Sequence, residues 1–236
     1  MDSLAIFAVA AAVMAAATAV QVAAGLGFAL VAVPPLVALD PMLVPGPMFT
    51  AGVVLILWQF FTERRHLPWH LAPPTLGGLV VGTALGIVAT LFLPEGDPRP
   101  VFGAIILLAV LISVAAPRLP ATPLVLVLAG LGSGMMGAIA GVHGPLVALA
   151  LLHLPLPAYR AFLGLFFTVA FVLVMPGLWA AGRYGVAEFL AGLALLPGVL
   201  VGVWLAGPLR RAIPTGALRS FVLVLAGASG LALILA

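Results

Sequence analysis

The chain has no cysteine, no lysine and no asparagine, and only 6% of its 236 residues are charged. Without thiols it can form neither disulfides nor thiolate metal sites, and thiol redox chemistry is closed to it. A soluble domain carries roughly a quarter charged residues, so an ordinary water-soluble fold is excluded too. The nine basic residues are all arginines, scattered singly or in pairs, for a net charge of +3. No basic patch is interleaved with aromatics, so nucleic acid is not an expected partner. The apolar runs also lack the intramembrane carboxylate that cation carriers use. Glu63 sits in a basic loop and Glu188 near a segment end. No Ser/His/Asp set and no paired carboxylates can be gathered at one depth, so an enzyme is not expected. His66, His70, His143 and His153 have no clustered ligand partners, and neither a metal site nor a cofactor is expected.

What is present is hydrocarbon: 65% of the residues are hydrophobic and the mean hydropathy is +1.36. Apolar runs fall at about 4–24, 28–39, 43–61, 69–93, 100–116, 121–140, 144–156, 157–181, 186–206 and 215–236. Runs of about 20 such residues cross a bilayer core as helices. They are unbroken blocks without dyad alternation, which excludes a β-barrel. The expected fold class is an all-α polytopic membrane protein. The first run carries only Asp2 ahead of it, so it reads as a membrane segment and not as a cleaved signal peptide. Trp58, Trp69, Trp179, Tyr184 and Trp204 lie near segment ends, where interfacial anchors belong.

The two halves resemble each other. "GLGFALVAVPPLVALD" (25–40) aligns with "AGVHGPLVALALLHLP" (140–155) when Pro35 to Leu39 are matched to Pro145 to Leu149. "LGGLVVGTALGIVATLFLP" and "LAGLALLPGVLVGVWLAGP" then correspond, with small residues at helical spacing that allows close helix approach in lipid. Runs 4–39 and 121–156 would each be roughly 50 Å long as continuous helices, far beyond a ~30 Å core. If each were one crossing, the arginines would divide four to five between the two faces. If each is a hairpin turning at its glycines, Arg64, Arg65, Arg118, Arg160, Arg210, Arg211 and Arg219 share one face against Arg99 and Arg183. The second split is what the positive-inside tendency expects, and it places both termini outside. Each half then has five segments, so residues 1–118 and 119–236 are expected to be two inverted repeats, each a Gly-broken hairpin followed by three transmembrane helices.

Broken helices expose N–H groups that lipid cannot satisfy, so such backbone is packed in protein or lines a cavity. Gly25 and Gly27 in one tip and Gly141 and Gly144 in the other permit the turn. Helices restarting near Phe28 and Pro145 would offer free N–H groups and a positive dipole end to an anion. Pro145 suits a first helical turn, where its missing N–H costs nothing. His143 is the histidine inside a break; it can donate to an anion when neutral and couple transport to a proton when charged. Glycine turns are equally what any tight hairpin needs, and the ring could simply bond a carbonyl. Arg160 either reaches the headgroups or closes over an anion. Gln21 and Ser133, within about two turns of the tips, are supporting candidates, as is Thr50, the repeat counterpart of Arg160.

The segments "GLGFALVAVPPL", "GVHGPLVALALLHLPLPAYRAF" and "LRSFVLVLAGASGLALI" resemble the sulfite exporter TauE/SafE family, also described as toluenesulfonate uptake permeases. The likeness covers nearly the whole chain. Gly25, Gly27, Pro34 and Leu36 match the first motif; Gly141, Gly144, Pro145, Arg160 and Ala161 match the second, with His143 where the motif has glycine. The resemblance implies a bacterial inner-membrane carrier of sulfite, organosulfonates and related anions. The expected anion site lies between the tips, held by backbone N–H groups near Gly27–Phe28 and Val142–Gly144, with His143 and Arg160. A homo-oligomer is compatible with this reading. A passive anion channel, or a non-transporting membrane subunit that docks a partner protein, remains the alternative.

Overall fold

The structure is a computed structural model that describes residues 3–25, 27–93, 97–115, 120–212 and 215–235. Asp2, Glu95 and Arg118 lie outside the described residues, as does the boundary between the two halves. Ten α-helices form among the described residues: α1 (Ser3–Ala24), α2 (Phe28–Leu39), α3 (Gly46–Glu63), α4 (Ala72–Leu91), α5 (Arg99–Ala115), α6 (Pro123–Ala140), α7 (Pro145–Ala150), α8 (Leu156–Ala180), α9 (Val186–Ala212) and α10 (Thr215–Leu235). Each answers to one apolar run. Six helical stretches, from Ala5–Ala24 to Val186–Leu209, are long and apolar enough to cross a bilayer.

α7 is much shorter than its run. A helix to 156 was expected, but α7 stops at Ala150 and residues 151–154 turn. Pro155 disfavours helical backbone at the residue before it, and the His153 ring nitrogen Nδ1 sits 3.1 Å from the Ala150 carbonyl at the helix end. With 12 and six residues, α2 and α7 reach only about 18 and 9 Å, short of a ~30 Å hydrocarbon core.

Contacts fix the directions. α1 runs alongside α9 with Ala11 against Gly198 and Thr18 against Gly202. α4 runs alongside α6 with Gly78 against Val127 and Gly86 against Met135. α5 and α10 are opposed, Gly103 meeting Leu233 and Val110 meeting Gly227. α3 starts beside Tyr184 and Glu188 and ends level with Arg160. The end of α1 is also level with Arg160, through Ala23 and Gly25. The chain must therefore return from Gly25 to the start of α3, and α2 folds back on α1. By the same reasoning α7 turns back from the end of α6, where Gly141 touches Met48, toward the start of α8.

Pro34 and Pro35 stand in the middle of α2, whereas Pro145 occupies the first turn of α7. The two prolines matched in the sequence alignment thus occupy different places. Two interior prolines leave the Leu30 and Val31 carbonyls without their helical donors.

The outward faces of α4, α9 and α10 carry exposed Val81, Leu85, Leu200, Trp204, Phe221 and Val224. Those surfaces need lipid as their solvent, and the molecule is a multi-pass membrane protein. Trp58, Trp69, Trp179 and Trp204 are exposed, as anchors should be, but Tyr184 is buried. Its hydroxyl lies 2.7 Å from the Thr50 hydroxyl, so it ties α3 to the chain entering α9. Thr50→Val is expected to lower stability by about 1 kcal/mol, the ordinary net value of such a bond; a thermal melt in detergent reads this, and an unchanged melting temperature would refute it.

Candidate functional site

The first break is a glycine construction. Gly25 and Gly27 have φ of 85° and 119°, backbone that side-chain-bearing residues rarely adopt. In the second break only Gly141, at φ 76°, needs such freedom. Gly144 has an ordinary helical φ; its lack of a side chain leaves room for Phe167, which a Cβ would meet at 3.3 Å.

Both breaks open onto one cavity of about 50 Å³ between the helices. Gly27, Phe28, Gly141, Val142, His143, Gly144 and Pro145 line it, together with Gln21. The cavity is partly open and has room for water. Much of the remaining wall is aromatic and aliphatic: Phe49 of α3 and Phe167 and Phe171 of α8. Nothing in their spacing marked these three rings, because each belongs to an ordinary apolar run. Ser113 of α5 and Leu223 of α10 close the far side.

His143 is 2% exposed. Its ring leans on Phe49, 5.2 Å between centroids, and on Phe171 at 6.2 Å. The opposite edge fits a notch left by Gly137, where a Cβ would collide with the ring. Neither ring nitrogen has a hydrogen bond of good geometry; the Gly141 backbone is the polar group against it. His143 lines the cavity, and its buried ring nitrogens leave hydrogen-bonding capacity for something that enters.

The other candidates fall elsewhere. Arg160 and Gly25 do not line this cavity; they border a second one, of about 170 Å³, on the other side of the first break. Trp58, Gln59, Thr62 and Glu63 of α3 complete its wall, with Gln21 shared between the two cavities. Arg160 is 9% exposed and its guanidinium Nη2 donates to the Ala23 carbonyl at 2.8 Å, so it pins the end of α1. Thr50 bonds Tyr184, away from both cavities. Ser133 is fully buried on α6 with its hydroxyl unpartnered, and Pro34 is buried within α2; neither lines the tip cavity.

The N–H at the start of α2 is engaged. Phe28 N–H donates to Gln21 Oε1 at 3.1 Å, while Gln21 Nε2 donates to the Gly25 carbonyl and to Gln59 Oε1, each at 3.2 Å. Gln59 Nε2 in turn donates to the Arg160 carbonyl at 3.1 Å. Gln59 stands within the apolar run 43–61. Its signal was compositional: Gln21 and Gln59 are the chain's only side-chain amides, and the fold brings them together from 38 positions apart.

A family model described as Sulfite exporter TauE/SafE matches residues 9–233. No curated protein and no solved structure matches the chain. A match over almost the full length, on a helical chain with six bilayer-length apolar stretches, leaves one conclusion: the chain belongs to the TauE/SafE sulfite exporter family.

Proposed function

We propose that the protein is a secondary transporter that exports small sulfur-containing anions, sulfite or organosulfonates, across the bacterial inner membrane. The observation that carries this reading is the convergence of two glycine breaks on one buried cavity, with His143 as its ionisable side chain. The helix directions support two inverted repeats, residues 1–118 and 119–236, each presenting one break to the centre. Alternating access then comes from rocking of the repeats about the tips. Both termini lie outside, and Arg64, Arg65 and Arg160 lie toward the cytoplasm; the shared level of Arg160, Glu63 and the end of α1 supports placing them at one face. Anions leave an inside-negative cell downhill by roughly 2.3 kcal/mol per charge per 100 mV, so export needs no co-ion. Uptake would need a proton or cation, and His143 is the group placed to carry the proton.

The test is sulfite flux in proteoliposomes, with and without a pH gradient, for wild type and His143→Ala. We expect saturable flux, falling at least tenfold in His143→Ala while the variant stays monodisperse. Flux rising linearly with sulfite, without saturation, would replace the carrier by a channel. Absence of flux for sulfite and for every sulfonate tested, in folded protein, would leave the partner-docking subunit as the better reading.

A further inference from the structure

The two cavities share one lining residue, Gln21. The tip cavity holds His143 and the phenyl rings, and the larger one is bordered by Arg160, Gln59, Thr62 and Glu63. The larger cavity, of about 170 Å³, has room for several waters. Gln21 forms part of both walls. Its amide joins four elements: the end of α1 through the Gly25 carbonyl, the start of α2 through Phe28 N–H, α3 through Gln59, and α8 through the Gln59 bond to the Arg160 carbonyl. Gln21 and Gln59 are 1% and 4% exposed, so these bonds are the ones that satisfy them.

We propose that the Gln21–Gln59–Arg160 lattice is a gate between the polar cavity and the tip cavity, closed in this structure, and that Gln21 is the part that moves. The proposal rests on reading the tip cavity as the anion site. Its chemistry is an exchange of acceptors. An anion arriving from the polar cavity takes the place of Gln21 Oε1 on the Phe28 N–H. A charged acceptor on that N–H makes a bond roughly twice as strong as a neutral amide does, at the positive end of the 12-residue α2. The displaced Gln21 amide swings toward the polar cavity, where Thr62, Glu63 and Gln59 offer it new partners. Arg160, tethered to the Ala23 carbonyl, stays in the wall of the polar cavity. Exchange keeps the Phe28 N–H paired, and the Gly25 carbonyl, which gives up the Gln21 donor, borders the polar cavity where water can reach it.

The absence of cysteine makes the test direct. Single cysteines are placed at Thr62 (Thr62→Cys, polar cavity) and Ala148 (Ala148→Cys, tip cavity). A membrane-impermeant cationic methanethiosulfonate is applied from the face of the Arg64–His66 loop, without substrate. With the gate intact, the Thr62 cysteine is modified quickly and the Ala148 cysteine at least tenfold more slowly. Adding Gln21→Ala, or Gln59→Leu as the milder change in case the first does not fold, brings the Ala148 cysteine to within about threefold of the Thr62 one. Two results overturn the gate: an Ala148 cysteine as reactive as the Thr62 one before either glutamine is changed, or a rate at 148 unmoved by both changes in monodisperse protein. Labelling needs no transported anion, so the gate can stand where sulfite flux fails, and flux can stand where the gate fails.

Discussion

Gly82→Val is expected to leave little or no folded protein in the membrane. α4 and α6 touch backbone to backbone: a Cβ at Gly82 would run into the Leu131 carbonyl and Cα, and one at Gly130 into the Thr75 carbonyl. The close approach follows from glycines at four-residue spacing on both helices, 78, 82 and 86 facing 130 and 134. In lipid no hydrophobic effect drives helices together, so packing at short range carries the association. A flexible side chain could yield to an added methyl group; a carbonyl of the facing helix cannot. The helices must separate, and the cost falls at or above the ~3 kcal/mol upper end of ordinary overpacking. Gly77→Val is the control, because nothing lies within 4 Å of a Cβ at Gly77. Yield of monodisperse protein and its melting temperature read both variants. Equal behaviour of the two would show that the α4–α6 contact does not hold the fold.

Gly137→Ala is expected to abolish transport with a smaller effect on folding. The added methyl occupies the space of the His143 ring, and the ring cannot retreat because Phe49 and Phe171 stand behind it. Either His143 leaves the cavity or α6 shifts, at about 1–3 kcal/mol. The double variant Gly137→Ala, His143→Ala removes the collision, so most of the lost stability should return while flux stays as low as in His143→Ala alone. Such non-additivity is the signature of two residues sharing one space. If the double variant is as unstable as the sum of the singles, the notch is not what seats the ring. If Gly137→Ala transports like wild type, the position of His143 does not matter to the anion.

How much of this was legible beforehand differs between the fold and the site. Ten apolar runs became ten α-helices because transfer of each residue from water to hydrocarbon is a local property, summed along the chain. The helix breaks at 25–27 and 141–144 were readable for the same reason: glycine and proline act on their own backbone. Family membership was readable too, from motifs that keep their order along the chain. The burial of Tyr184 and the withdrawal of Arg160 from the tip cavity were not. Each depends on what a distant helix places alongside: Thr50 beside Tyr184, Ala23 beside Arg160. Gly137 and the phenylalanines at 49, 167 and 171 carried no signal, since a residue in an apolar run reads the same whether it faces lipid or a cavity. The sequence by itself determined how many segments enter the membrane and where their helices break. Which polar atoms those breaks confront was decided by tertiary structure alone, because a buried hydrogen bond is a property of two surfaces and only the packing of separate helices brings Gln21, Gln59 and the Arg160 carbonyl each within 3.2 Å of the next.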